Sequence, residues 1–199
     1  MASTVVQHAA PPAVPERHGR EQATRSGIWV AIFAITMSFA AFTSALMVRQ
    51  GSGDWKHIVP PPVIYLNTIA LLISSITLER ARNRATSGLR PQLRNGLPWI
   101  VMTLVLGLVF VVGQYFVWRQ LAAQGLYLAT TSNSSFFYVF TVMHALHLLG
   151  GIVALTYLIA QIISRQGRPR WSLFDGAATY WHFMGVLWLY LLFVISTRL

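Results

Sequence analysis

Five stretches of this chain are long enough to cross a membrane and carry no Asp, Glu, Lys or Arg: Ile28–Val48, Val59–Leu78, Leu97–Trp118, Phe136–Ile163 and Ala177–Ser196. About 20 apolar residues span the hydrocarbon core as a helix. A lone segment in lipid must satisfy its backbone hydrogen bonds internally, so each stretch is predicted to be α-helical. Composition agrees, with 55% hydrophobic and 10% charged residues, against roughly 25% charged in an ordinary soluble domain. A soluble globular enzyme, a collagen-like chain and a disordered chain are therefore excluded. The chain has no cysteine, which removes disulfide scaffolds, Cys-ligated metal centres and cysteine nucleophiles. The predicted fold is all-α: a polytopic membrane protein built as a five-helix transmembrane bundle.

Residues 1–27 are polar, contain Pro11, Pro12 and Pro15, and lack the apolar core of a cleaved signal peptide. They read as a disordered cytoplasmic tail ahead of a membrane domain over 28–199. The second span opens on Pro60-Pro61-Pro62, which a helix tolerates at its start, so that helix is expected to begin nearer Val63. The fourth span would be roughly 42 Å long and should tilt or project. Short loops predict that consecutive helices are antiparallel neighbours.

The net charge of +10 would suit a nucleic-acid partner, but its distribution argues for topology instead. With the amino terminus cytoplasmic, Arg17, Arg20, Arg25, Arg80, Arg82, Arg84, Arg90, Arg94, Arg165, Arg168 and Arg170 all fall inside. Only Arg49, Lys56, Arg119 and Arg198 fall outside. The positive-inside rule thus predicts a cytoplasmic amino terminus and a periplasmic carboxyl terminus, with no nucleic-acid role.

The absence of intramembrane acids disfavours a stand-alone ion pump or ion-coupled transporter, which places ionisable groups in the bilayer. The buried polar groups gather in the last two spans. Tyr138, Thr141, His144 and His147 recur every three residues, and the two histidines share a face with Gly151. Gly150, Gly151 and Ala154 would let another helix approach closely. In the fifth span Asp175, Thr179 and His182 form a second polar stripe, with Asp175 also readable as an N-terminal cap. Interhelical hydrogen bonding is the plainest role for the histidines. A bis-histidine haem site from His144 and His182 requires equal membrane depth, which their positions do not offer. Trp29, Trp55, Trp99, Trp118, Trp171 and Trp181 sit near span ends as interfacial anchors, leaving Trp188 alone in mid-span. Asn67, Thr68, Ser74 and Ser75 should face other helices rather than lipid.

Taken in order, these residues resemble subunit III of the haem–copper terminal oxidases (cytochrome c oxidase), in its bacterial five-helix form. The resemblance runs from about Gly27 to the end. It rests on Asn67-Thr68 with Ser74-Ser75, on Gln114 and Trp118 with Gly125, on Phe137-Tyr138, Thr141, His144 and His147 closed by Gly150 or Gly151, and on Tyr180-Trp181-His182-Phe183 with Trp188. Two positions depart from the family pattern. Ile35 stands where members of this form often carry Glu, and the Asp after the Tyr-Trp-His-Phe run is replaced around Gly185.

The resemblance implies a non-redox subunit with no catalytic residue, no metal ligand and no cofactor of its own. It would sit in the bacterial cytoplasmic (inner) membrane. Haem and copper would reside in partner subunits: a catalytic haem–copper subunit I and a copper- or quinol-linked subunit II. Phospholipid would bind between helices. The complex would reduce dioxygen to water in aerobic respiration, with proton translocation. Asn67, Ser74, Ser75, Gln114, Trp118, Tyr138, Thr141, His144, His147, Gly151, Asp175, Trp181 and His182 would serve as structural, lipid or subunit contacts. Alternatives within the family are a quinol oxidase or an accessory subunit of nitric oxide reductase. A small membrane cytochrome b is the alternative from another class.

Overall fold

The computed structural model describes residues 16–51, 61–87, 92–126, 132–164 and 171–198, with side chains from residue 25 onward. Five helices carry the fold: α1 (Glu16–Arg49), α2 (Val63–Thr86), α3 (Leu97–Ala123), α4 (Ser132–Ser164) and α5 (Trp171–Arg198). All five are long and apolar enough to cross a membrane, so this is a multi-pass membrane protein with an all-α bundle. α1 starts at Glu16, inside the polar segment read as a tail, although the apolar run itself begins near Ile28. The first 15 residues of that segment lie outside the described residues.

Local chemistry sets the helix ends. α2 begins at Val63, because Pro61 and Pro62 supply only carbonyls: Ile64 N donates to Pro61 O and Tyr65 N to Pro62 O, both at 3.1 Å. It continues past Leu78 to Thr86, where Ser87 turns its amide and its hydroxyl onto Asn83 O. A short 3-10 turn, Leu93–Gly96, leads directly into α3. α3 stops at Gly125, whose φ of 79° is left-handed. There Leu126 N reaches Leu121 O and Gly125 N reaches Ala122 O, closing the last carbonyls in a Schellman arrangement.

Contacts along the chain show alternating helix directions. α2 and α3 run antiparallel and pack most extensively. A side chain at Gly96 would strike the Ala81 carbonyl, and one at Gly113 would strike the Asn67 carboxamide. Glycine permits the backbones to close at both points. Midway between them Thr77 and Thr103 share a hydroxyl–hydroxyl hydrogen bond of 2.8 Å. Thr77→Val is expected to destabilise the chain by about 0.6 kcal/mol, and by no more than about 1.7. Unfolding in mixed detergent micelles would measure it.

α5 is the hub, packing against α1, α2 and α4. The expectation that consecutive helices pair fails for the first two. α1 is seated on α5 and α4 and makes no substantial contact with α2. Its inward face is Ile35, Phe39, Thr43 and Leu46. Phe39 stacks on Phe140 of α4, Tyr190 Oη donates to Thr43 Oγ1 at 2.9 Å, and Gln50 Nε2 donates to Arg198 O at 2.6 Å. Residues 50–62 are long enough to reach past one helix diameter of about 10 Å, so sequence adjacency does not enforce contact.

Candidate functional site

Several of the polar residues singled out in the sequence converge on two of the α5 tryptophans, Trp181 and Trp188. Trp181 and Trp188 are seven residues apart, so both face the bundle interior, and both are fully buried. Trp181 Nε1 donates to Ser74 Oγ at 3.0 Å, crossing from α5 to α2. Its six-membered ring lies where a side chain on Gly107 of α3 or Gly151 of α4 would stand. One indole thus fills the junction of four helices: a Cβ at Gly107 would meet the ring at 2.5 Å, and one at Gly151 would sit tightly against it at 3.2 Å. Trp181 is accordingly a core residue rather than an interfacial anchor. Its place near the end of the apolar run misleads because α5 starts at Trp171, ten residues before Trp181.

Trp188 repeats the device one level away. Its Nε1 donates to Thr68 Oγ1 at 2.9 Å. Phe110 of α3 meets it edge to face with centroids 4.8 Å apart, and His144 of α4 lies at 5.0 Å. Buried aromatic clusters of this geometry add to simple area burial. Asn67 and Gln114 are buried in the same interior.

A third contact joins α3 to α4. Trp118 Nε1 donates to Thr141 Oγ1 at 3.0 Å, and Tyr138 Oη donates to Leu126 O at 2.9 Å. Thr141 in turn returns its hydroxyl to Phe137 O. Trp118 is therefore bonded into the bundle, although its position at a span end suggests an anchor.

The histidines do not bond across helices as expected. His144 is fully buried among Phe110 and Trp188, and neither ring nitrogen has a hydrogen-bond partner. His147 Nδ1 closes on Met143 O of its own helix at 2.6 Å, while its ring packs on Phe39. The bond across the α4–α5 interface comes instead from Tyr180 Oη to the His147 carbonyl, at 2.9 Å. His182 stands apart from both, half-exposed, with Nε2 4.0 Å from Glu79 Oε2. Among the described residues, no three His, Cys, Asp or Glu side chains are grouped to hold a metal ion. Because the His144 nitrogens make no hydrogen bond, His144→Leu should change stability by less than about 1.5 kcal/mol. Thermal unfolding in detergent would read it; a ligand or network histidine would cost several-fold more.

Asp175 is not a cap. It is the fifth residue of α5, and its Oδ1 accepts from Arg82 Nη2 of α2 at 2.8 Å. Glu79 lies 4.0 Å from Arg82 Nη1. Spacing within α5 does not join α2 to this stripe, although Glu79 and Arg82, one turn apart at the end of an apolar run, mark where such a pair would form.

At the other end of the bundle, α1 and α4 border a groove of about 850 Å³, lined by Ala41, Ser44, Ala45, Val48, Arg49, Ser135 and Phe136. Ile35 is buried on the inward face of α1.

Residues 25–197 match the family Cytochrome c oxidase subunit III. A probable cytochrome c oxidase subunit 3 of Mycobacterium tuberculosis is 32% identical over 169 residues, covering 79% of this chain and 77% of that protein. The cytochrome c oxidase subunit 3 of Gallus gallus is 31% identical, covering 81% of this chain and 62% of the other. A probable quinol oxidase subunit 3 of Staphylococcus saprophyticus is 25% identical, covering 89% and 90%. With nearly the whole membrane domain matched and the resembling residues gathered at its helix junctions, the chain belongs to the cytochrome c oxidase subunit III family.

Proposed function

We propose that this chain is a non-redox subunit of a respiratory oxidase, supporting the assembly and sustained turnover of a catalytic haem–copper subunit. The observation that carries the reading is the use made of the family-resembling residues. Ser74, Trp118, Thr141 and Trp181 commit their polar atoms to one another across helices. Asn67, Gln114 and His144 are buried between helices rather than gathered around an open cavity. Such a chain offers a rigid, shaped surface. Electron transfer and oxygen chemistry belong to companions: a haem–copper subunit I, which reduces dioxygen to water, and a copper- or quinol-linked subunit II.

The amino terminus is cytoplasmic and the carboxyl terminus periplasmic, following the arginine distribution, in a bacterial inner membrane. The donor is cytochrome c, in line with the names of the more similar relatives. A quinol-oxidising complex is the second reading, favoured by the Staphylococcus saprophyticus relative, which covers more of the chain. Phospholipid occupies the α1–α4 groove. Its apolar lining of Ala41, Ala45, Val48 and Phe136 suits acyl chains.

The test is to tag the chain, purify it gently from native membranes and identify the co-purifying proteins by mass spectrometry. A stoichiometric haem–copper subunit is expected, and its companion names the donor. Recovery alone, or with an unrelated partner, overturns the reading.

A further inference from the structure

One face of the hub helix is left uncovered. Along α5, Asp175, Thr179, His182, Val186, Leu189 and Phe193 recur at three- and four-residue spacing and are exposed or half-exposed. They form the floor between α1 and α2, which make no substantial contact with each other. Val186 and Phe193, 65% and 66% exposed, are ordinary lipid-facing residues. The half toward Arg82 is different.

There the charges form a chain: His182 Nε2 to Glu79 Oε2 at 4.0 Å, Glu79 Oε2 to Arg82 Nη1 at 4.0 Å, and Arg82 Nη2 to Asp175 Oδ1 at 2.8 Å. Arg82 is committed to Asp175 and also lies over the Phe174 ring. Glu79 accepts no hydrogen bond from it. With His182 neutral, two carboxylates and one guanidinium leave a net charge of −1, on a chain whose total is +10.

Depth makes this spot costly in lipid. At 1.5 Å per residue, His182 lies roughly 7 Å from the centre of Ala177–Ser196, and Glu79, counted from the helix start at Val63, roughly 13 Å from the centre of Val63–Leu78. Half the hydrocarbon thickness is about 15 Å. A half-exposed carboxylate and imidazole at that depth need protein or water rather than acyl chains. Anionic headgroups are repelled by the same carboxylates.

We propose that the α2–α5 face seats a transmembrane helix of a companion oxidase subunit, which brings a cationic side chain to Glu79. Charge complementarity selects this occupant: the incoming cation neutralises the residual −1, and the helix covers Thr179 and Val186 beside it. The proposal rests on the oxidase-subunit reading above.

The test is photo-cross-linking in native membranes. Benzoylphenylalanine is placed at Thr179 or Val186, with Val153 on α4, itself 68% exposed, as the comparison site. Each tagged variant is first checked for co-purifying haem–copper subunit. Failure of that step defeats the oxidase reading, and the present proposal with it. With the complex intact, Thr179 and Val186 are expected to form adducts with a companion polypeptide, and Val153 with lipid alone. Lipid-only adducts at Thr179 and Val186 in an intact complex overturn the proposal and leave the oxidase reading standing. Companion adducts at Val153 instead do the same. Glu79→Gln should leave the chain folded and weaken its retention on the companion about tenfold in a salt wash; unchanged retention counts against the cation.

Discussion

Trp181→Ala lowers the stability of the folded chain by about 3–5 kcal/mol, the range for truncating a fully buried aromatic. Lipid offers no hydrophobic drive between helices, so the loss acts through packing. The indole touches α3 at Gly107 and α4 at Gly151, and it satisfies Ser74 of α2. Removing it opens a cavity that the flanking glycines cannot fill and leaves the Ser74 hydroxyl without that donor. Trp181→Phe should cost less, since it keeps much of the volume and loses only the hydrogen bond. Reversible unfolding in SDS-containing micelles gives both values. A cost below about 1 kcal/mol for the alanine variant would mean that the four-helix junction does not hold the bundle.

Gly107→Leu produces the second large effect, from the opposite direction. Even a Cβ at this position meets the Trp181 ring at 2.5 Å. A full leucine side chain must displace the indole or part α3 from α5, and overpacking of this kind costs about 1–3 kcal/mol or more. The two substitutions compensate in part. In a Gly107→Leu, Trp181→Ala double variant, the leucine enters the space vacated by the indole, so the combined loss falls short of the sum by about 0.5–3 kcal/mol. Strict additivity would show that Gly107 and Trp181 are not in contact.

Much of this architecture is legible in the amino-acid sequence. An uncharged run can be read as a span without knowing its neighbours, because the cost of charge in lipid is local to the residue. The facing of Asn67 and Ser74 is legible for the same reason: their polar atoms forbid a lipid-facing position, and both are buried. Gly151 marks a close approach, and Trp181 and Tyr180 make it.

What the sequence hides depends on partners far apart in the chain. Trp181 looks interfacial when depth is counted from the apolar run, yet the helix extends a further ten residues through Trp171 and Asp175. The seating of α1 on α5 follows from Phe39 and Thr43 matching Phe140 and Tyr190, a shape match that spacing within α1 does not encode. Asp175 reads as a cap because its partner, Arg82, lies 93 positions earlier. Hydrogen bonds are expected for His144 on the general rule that buried imidazoles have them. Its neighbours Phe110 and Trp188 supply ring faces and edges instead.

These features describe a bundle in which several buried polar side chains join one helix to another. The reading of the chain as a non-redox subunit is tested most directly by comparing the purified oxidase with and without it. The measurement is haem and copper content per catalytic subunit, with the reduced-minus-oxidised spectrum, after the chain is selectively stripped or its gene deleted. Unchanged haem and copper with an unchanged spectrum, alongside a shortened period of steady turnover, is the expected result. Loss of haem or copper in proportion to the chain stripped from the assembled complex would contradict it.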